Sequence, residues 1–302
     1  MNKYSHDISI GPHAQQPDLR NETVHRMQAA GIPVKLHHHE VGAAGQVEIE
    51  LGLADLLQTA DNVVRGRAIA QATAAELGLR ATFMPKPLHG HAGSGLHFPQ
   101  HLFDGDRPLF YAAGGYADLS PFALSYVAGL LSHGSALLAL TNPSTNSFRR
   151  LVPGFEAPVR AFFSLANRSA AVRVPRYARS PEAKRVEFRS PDATCNPYLA
   201  LPAMLLAGLD GVRRGLDPTA LGFGPFDVNA EKLPPAEREK IVSFPTSLPA
   251  AIDALQADRA FLLEGGVFDM GILDTWVAHL DAQVAAIRTR PHPYEFLLHF
   301  DA

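Results

Sequence analysis

The chain has 302 residues, of which 46% are hydrophobic and 19% are charged, and its formal net charge is -3. This composition is that of a soluble globular protein, and the near balance of charge gives no electrostatic reason to expect nucleic acid or an anionic membrane as partner. A single cysteine, Cys195, excludes an intrachain disulfide, and no apolar stretch has the length of a signal peptide or membrane span, so we expect a cytoplasmic protein.

The N-terminal part of the chain alternates between helical and extended patterns. Residues 18–30 have helical spacing, and residues 34–39 alternate like a strand. A long helix is predicted for residues 61–77, and short strands are predicted for residues 81–84 and 96–98.

The middle of the chain contains its most apolar segment. Residues 120–140 predict one buried helix, with Pro121 in its first turn. Residues 141–158 carry turn signals without regular periodicity, and a loop of that length in a compact domain is usually functional. Strands are predicted for residues 170–174 and 186–189.

The C-terminal part is mainly helical, with helices predicted for residues 196–209, 248–263 and 274–288. Strands and helices are mixed without a regular βαβ alternation, which favours an α+β fold over a doubly wound sheet. No shift in composition marks a linker, so we predict one domain over residues 1–302.

Two carboxylates near the N-terminus are the first candidates for chemistry. Glu40 ends the predicted strand, and Glu48 follows a turn of small residues that allows close backbone approach. Divalent cations such as Mg²⁺ prefer oxygen ligands of this kind, but two solvated acids give the same pattern. At most two of the histidines at 37–39 share one face of a strand, and packing or surface positions also explain them.

The Gly93-Ser94-Gly95 turn is the second candidate. It is neither a G-x-S-x-G nucleophile elbow nor a P-loop, because the flanking residues do not match. The turn instead delivers His97 at the head of a strand, with backbone amides able to hold an anion. A neutral imidazole is a competent ligand for Mn²⁺ or Mg²⁺ when carboxylates complete the shell.

Arg185, Glu187 and Arg189 alternate, so in a strand they project from one face. A surface ion-pair ladder has the same pattern, but the preceding stretch is rich in further arginines. Guanidinium groups at this density suit phosphate and carboxylate recognition. The further arginines are Arg149, Arg150, Arg168, Arg173 and Arg176.

Ordered segments along the whole chain resemble the motifs of the glutamine synthetase family. His37-His38-His39-Glu40 together with Gln46-Val47-Glu48 is similar to the first metal-binding motif of that family. Other segments resemble its signature, its substrate loop and its closing motif; they are residues 83–87, 92–97, 142–158, 167–169, 185–189, 191–193 and 291–296. The resemblance implies the catalytic domain of that family, a curved antiparallel sheet flanked by helices.

The family resemblance implies two Mg²⁺ or Mn²⁺ ions, one held by Glu40 and Glu48 and the other by His97 and Glu187. It also implies a reaction in which ATP phosphorylates the γ-carboxylate of glutamate and ammonia then displaces phosphate, giving glutamine. The metals and arginines would neutralise charge on the transferring phosphoryl group.

The resemblance assigns the glutamate site to Arg150 and Arg189, which would bind carboxylates, and to Gly93. The catalytic residues would be Glu156, Arg150 and Arg168. Glu156 would close the substrate loop and accept a proton from ammonium.

ATP would be bound by Arg168 and Arg173 at its phosphates and by Arg185 near its base. Family members also carry an N-terminal β-grasp domain and a strand with two acidic metal ligands, and nothing before Glu40 resembles either. We therefore expect an N-terminally truncated catalytic domain. A ring-shaped homo-oligomer is implied, with glutamate, ammonia and ATP as small-molecule partners.

Three hypotheses follow for the function. The first is a glutamine synthetase, and the second is a sister ligase that joins glutamate to an amine other than ammonia. The third is an inactive remnant that binds nucleotide or assembles as a structural subunit. The sequence separates the first two poorly, because few side chains form the amine pocket, whereas Mn²⁺ binding discriminates against the third.

Overall fold

The computed structural model describes residues 17–42, 44–155, 157–228 and 233–302. The α-helices in these ranges are α1 (Pro17–Ala29), α2 (Leu56–Glu76), α3 (Pro121–Ser132), α4 (Gly134–Thr141), α5 (Ser147–Arg150), α6 (Pro197–Arg213), α7 (Pro235–Arg238), α8 (Leu248–Ala257), α9 (Met270–Arg288) and α10 (Pro293–His299). The β-strands are β1 (Val34–His39), β2 (Val47–Leu51), β3 (Phe98–Gln100), β4 (Phe103–Asp104), β5 (Arg107–Pro108), β6 (Phe163–Leu165), β7 (Val172–Val174) and β8 (Val186–Phe188).

The main sheet has four strands in the order β3-β8-β7-β6. Two separate antiparallel pairs accompany it: β1–β2 precedes it in the sequence, and β4–β5 lies between β3 and β6. β8 is antiparallel to both of its neighbours, whereas β6 and β7 run parallel. The predicted α+β class is confirmed, and the parallel pair at one edge is the difference from a purely antiparallel sheet. Residues on β8 lie in the centre of the sheet, with a strand on each side.

The core is centred on α3, α4 and α6, whose buried side chains are mostly leucine and alanine. α3 packs along α6 at close range, because both helices carry glycine at the contact. A Cβ built on Gly129 would lie 2.1 Å from the carbonyl oxygen of Ala207, and one on Gly211 would lie 2.2 Å from that of Ser125. No side chain fits at either position, so the two glycines set the separation of the helices.

Four sequence predictions about elements are wrong. The helix predicted for residues 248–263 ends at Ala257, where the backbone of Asp258 leaves the helical conformation, and a separate 3-10 helix covers Ala260–Gly266. No strand forms at residues 81–84. The helix predicted from residue 61 begins at Leu56, because the side chain of Asp55 caps it by accepting a hydrogen bond from the Gln58 amide at 2.8 Å. The apolar segment 120–140 forms two helices, α3 and α4, which meet at His133 with a bend of 71°.

Several short elements escaped the sequence analysis. β6 has three residues, which is too few for periodicity to reveal, and α5 is a single turn within the segment predicted as a loop. α10 has Pro293 as its first residue, and a capping box between His292 and Glu295 stabilises its N-terminus.

No single helix in the described ranges is long and apolar enough to cross a membrane, and α3 and α4 meet that test only as a bent pair. Both helices are lined with residues that are buried in the protein.

Candidate active site

The β1–β2 hairpin brings Glu40 and Glu48 together. His38 on β1 pairs with Glu48 on β2, and Glu40 lies just beyond the end of β1. The Nδ1 atom of His38 is 3.8 Å from Oε1 of Glu40, and its Nε2 atom is 4.0 Å from Oε2 of Glu48. One ligand atom from each of the three residues lies within 4.8 Å of the others. Two carboxylates and one imidazole at these distances fit a divalent cation.

The carboxyl group of Glu48 is affected by this crowding. Burial, a hydrogen bond with Glu40 and the charge of Glu40 raise its pKa to about 7. Two carboxylates this close repel each other when both are ionised, so one retains a proton near neutral pH. A bound cation would remove that repulsion, so the electrostatics of the pair also fit a metal.

The three histidines of β1 divide between its two faces. His38 faces the carboxylates, whereas burial and the charge of Arg20 on α1 lower the pKa values of His37 and His39. His38 was not singled out from the sequence. The spacing of two residues between His38 and Glu40 was a weak signal, because His37 and Glu40 or His39 and Glu48 were equally open until the register placed Glu48 opposite His38.

A second group forms where β3 meets β8. His97 precedes β3, and its Nδ1 atom is 3.4 Å from Oε1 of Glu187 on β8. Arg173 lies opposite Glu187 on β7 and donates to its Oε2 at 3.3 Å, and Arg189 donates to its Oε1 at 2.5 Å. Burial and the charges of nearby arginines, with Arg189 first, lower the pKa of His97 well below its usual value, so the imidazole is neutral.

The two groups are close enough for the charge of Glu187 to contribute to the raised pKa of Glu48. A direct connection is made by Gln46, which sequence analysis missed. Its side-chain amide donates to the carbonyl of Gly93 at 3.0 Å and to Oγ of Ser94 at 3.1 Å. The hairpin is thereby bonded to the turn that leads to His97.

Arg150 is buried beside the His97 group, where its charge helps to lower the pKa of His97, and its guanidinium is bonded to backbone carbonyls. Its Nη1 donates to the carbonyls of Ser190 and Pro191 at 2.7 and 3.3 Å, and its Nη2 donates to that of Arg189 at 3.1 Å. Burial lowers its pKa to about 10, which leaves it charged at neutral pH. The guanidinium therefore fixes the segment that follows β8 and places a positive charge at the site.

The glycines at 93 and 95 allow Arg150 to approach. A Cβ on Gly95 would lie 2.5 Å from Nη2 of Arg150 and 2.6 Å from Nε2 of His97, and one on Gly93 would lie 2.8 Å from Cγ of Arg150. Any side chain at position 95 would displace the arginine or the histidine. The glycine pattern in the sequence thus has a packing reason in addition to its backbone amides.

Three predicted site residues remain: Arg168, Arg185 and Glu156. Arg189 donates from Nε to the carbonyl of Arg168 at 3.1 Å, so residue 168 is adjacent to the Glu187 group. Arg185 is buried on the segment leading into β8, with its guanidinium 5.6 Å from the centre of the Tyr177 ring. Glu156, the predicted proton acceptor, lies outside the described residues.

A family model described as the catalytic domain of glutamine synthetase matches residues 1–299 of the chain. The glutamine synthetase of Frankia alni is 50% identical over 285 residues, covering 94% of this chain and 59% of the relative. That of Mycolicibacterium smegmatis is 45% identical over 293 residues, covering 97% of this chain and 60% of the relative. The chain thus spans about 60% of the length of these relatives.

Solved structures give the same result for the fold. The glutamine synthetase of Plasmodium falciparum matches with a TM-score of 0.85 at 26% identity, covering 98% of this chain and 64% of the solved one. A complex of GmaS with ADP matches with a TM-score of 0.81 at 28% identity, covering 99% of this chain and 68% of the solved one.

Proposed function

The chain belongs to the glutamine synthetase family, and on that premise we propose that it catalyses the ATP-dependent joining of ammonia to the γ-carboxylate of glutamate through a γ-glutamyl phosphate. The observation that carries this proposal is the pairing of Glu40 with Glu48 and of His97 with Glu187 beside buried arginines. These are the groups that the reaction requires, since it moves a phosphoryl group between two anions.

We assign one divalent cation to Glu40, Glu48 and His38, and a second to His97 and Glu187. Their distances support this assignment, as does the raised pKa of Glu48. A bound Mg²⁺ or Mn²⁺ supplies charge neutralisation and orientation to the phosphoryl group. Because the imidazole of His97 is neutral, it is able to ligate without first losing a proton.

The arginines of the chain bind and orient the two anionic substrates. We assign the glutamate carboxylates to Arg189 and to the N–H groups of Arg150 that are not bonded to backbone, with the backbone of Gly93 beside them. The carbonyl bonds of Arg150 fix the segment that carries Arg189, which is what a precise carboxylate site requires.

We assign the ATP phosphates to Arg168 and Arg173, and the region of the base to Arg185. Arg173 forms an ion pair with Glu187, which is one of the assigned metal ligands. A phosphate bound by Arg173 would therefore also lie beside the second cation. In the same proposal Glu156 accepts a proton from ammonium, so that ammonia attacks the acyl phosphate, which loses phosphate as its leaving group.

We also infer one cytoplasmic catalytic unit over residues 1–302 that assembles into homo-oligomers. Exposed apolar side chains on α10 and just beyond it support assembly, since such surfaces are usually covered by a partner. They are Tyr294, Phe296, Leu297, Leu298 and Phe300. Sedimentation of the purified protein tests this inference, and a monomer at micromolar concentration would contradict it.

The activity is tested by joining this chain to the upstream segment of the Frankia alni enzyme, its 50% identical relative. We expect phosphate release from ATP that requires both glutamate and ammonium in the presence of Mn²⁺. The matched control is the same fusion carrying Glu187→Gln, which should be inactive. A folded fusion without turnover, or with release that ignores glutamate, would contradict the proposal.

The acceptor is tested with the same fusion. Ethanolamine and a polyamine are compared with ammonium by kcat/KM, and ammonium should be preferred. A higher value for either amine would retain the ligase chemistry and identify a glutamate–amine ligase instead.

A further inference from the structure

Gln46 makes more contacts than its place in a surface hairpin requires. Its Oε1 accepts from the Gly42 amide at 3.0 Å, while its Nε2 donates to the Gly93 carbonyl and to Ser94 Oγ. Its backbone carbonyl accepts from the Glu40 amide at 2.9 Å. One residue therefore bonds to the first carboxylate-bearing segment and to the turn before His97.

The contacts of Gln46 use both the donor and the acceptor side of its carboxamide. The oxygen is occupied by a backbone donor, and the two N–H groups each have an acceptor on the other segment. A carboxylate has no N–H to give to the Gly93 carbonyl, and asparagine is one methylene shorter. The amide also packs closely on the backbone of Gly42, where an added Cβ would lie 2.5 Å from Oε1 of Gln46. Position 42 therefore has no room for a side chain while this contact is made.

The far side of this connection is also fixed. The Ser94 amide donates to the Pro85 carbonyl at 2.8 Å, and the Leu96 amide donates to the Pro191 carbonyl at 2.9 Å. The turn before His97 is therefore attached to the body of the protein. The hairpin, by contrast, is a separate two-stranded pair outside the main sheet. Gln46 bonds the more independent element to the fixed one at the point where their ligands meet.

We propose that Gln46 is a positioning residue that sets the separation between the Glu40–Glu48 carboxylates and His97 with Glu187, and so determines how tightly the pair of groups binds divalent cations. This inference rests on the proposed function. Residues that orient metal ligands through hydrogen bonds commonly change metal affinity by about 10- to 100-fold when they are removed. Gln46 touches no ligand atom, so its effect acts through the geometry of the two segments.

The test is a Mn²⁺ titration of the full chain by calorimetry, with thermal unfolding of each metal-free variant measured alongside. Gln46→Met keeps the length of the side chain and removes its hydrogen bonds, so we expect the Kd for Mn²⁺ to rise about 10-fold or more. Ser94→Ala removes one of the two acceptors and should change the Kd by less than about threefold. Gln283→Ala on α9, where the side chain bonds to His279 far from the proposed metal ligands in the sequence, is the matched control.

The outcomes separate the inference from the proposed function. A weaker Kd in Gln46→Met, with metal-free unfolding close to that of the natural protein, supports positioning. An unchanged Kd overturns it and leaves the proposed function intact. A Gln46→Met chain that does not fold shows a structural residue and also overturns it. Failure of the natural chain to bind Mn²⁺ removes the proposed metal sites, and the inference with them.

Discussion

Glu48 and Glu50 lie two residues apart on β2 and have different partners. Glu50 accepts from Lys35 at 2.5 Å, so its charge is compensated within the protein. Glu48 instead faces Glu40 and His38, and its pKa is raised by burial and by Glu40. Because the two acids share a strand and a residue type, they form a matched pair for testing the metal site.

We predict that Glu48→Gln raises the Kd for Mn²⁺ at least about tenfold, because affinity follows the number of charged oxygen ligands. Glu50→Gln should leave the Kd nearly unchanged. Calorimetric titration of both variants measures the difference. Equal weakening in both would point to a general loss of negative charge rather than to a ligand at position 48.

Binding of Mn²⁺ should also depend on pH through the same carboxyl. With a pKa of about 7, Glu48 is mostly protonated at pH 6 and mostly ionised at pH 8, so the Kd should fall roughly tenfold over that interval. The metal-free protein behaves in the opposite way: its folded state binds this proton more tightly than the unfolded state, so stability falls as pH rises from 4.5 to about 7. A flat Kd across this range would contradict the prediction.

At the scale of elements, His133 explains why one apolar segment became two helices. Its Nε2 is 2.9 Å from Oδ2 of Asp210 on α6, and its Nδ1 is 2.7 Å from Oδ2 of Asp258 at the end of α8. The ring also stacks on Phe261 with centroids 4.0 Å apart. The break between α3 and α4 places the imidazole between two carboxylates from distant parts of the chain.

We predict a pH-dependent contribution to stability from His133. Burial alone would lower its pKa, but hydrogen bonds and charge from Asp258 and Asp210 outweigh burial and raise it. The stabilisation is therefore fully present below the usual pKa of 6.5 and is lost as pH rises through the raised value. The other charged groups that face this site are Arg213 and Arg214, which bond Asp210, and Glu264, which bonds Arg213.

Urea unfolding at pH 6 and pH 9 measures this effect. His133→Asn should lower the free energy of unfolding by roughly 2 kcal/mol at pH 6, the scale of hydrogen bonds to charged groups, and by less at pH 9. Asp258 is 43% exposed at its side chain, so water screens its share and Asp210 contributes more. His279→Asn, at an exposed position of α9, is the control. An equal loss at both pH values would refute the titration.

The α3–α6 contact gives a second prediction for elements. Gly211→Ala places a methyl group 2.2 Å from the Ser125 carbonyl, so we expect it to lower the free energy of unfolding by about 3 kcal/mol as the helices separate. Gly271→Ala, at an exposed position in the first turn of α9, would bring a Cβ to 3.2 Å from Oδ1 of Asp269, which caps the helix by accepting from Ile272. The gain in helix propensity and the disturbance of the cap oppose each other, so its effect should stay within about 1 kcal/mol in either direction. Similar effects at both sites would mean that helix propensity, rather than packing, controls the response.

For the whole molecule, metal binding and folding should be linked. The assigned cations are held by residues from β1 and β2 and from the β3–β8 region, so they bind only where these elements are assembled. At a free Mn²⁺ concentration 100 times the Kd of a site, that site should raise the free energy of unfolding by about 2.7 kcal/mol. Thermal unfolding with and without Mn²⁺ measures this, and Glu48→Gln should remove the share of the ion at Glu40, Glu48 and His38 while leaving that of the ion at His97 and Glu187. An increase as large in Glu48→Gln as in the natural chain would place the first ion elsewhere.

Much of the fold was accessible from sequence because long helices carry many periodic positions. α1, α6 and α9 were predicted close to their observed bounds. β6 was not, because three residues carry no usable period. The bend at His133 depends on Asp210 and Asp258, and no local pattern reports partners so far away along the chain.

The sequence by itself determined the family, the α+β class and the chemical types at the site, because ordered motifs and residue identities are properties of the chain. Only the tertiary structure decided which of three adjacent histidines faces the carboxylates, that Arg150 is bonded to backbone carbonyls, and that Gln46 joins the hairpin to the turn before His97. Those facts depend on strand register and on contacts between distant segments, which a linear pattern does not encode.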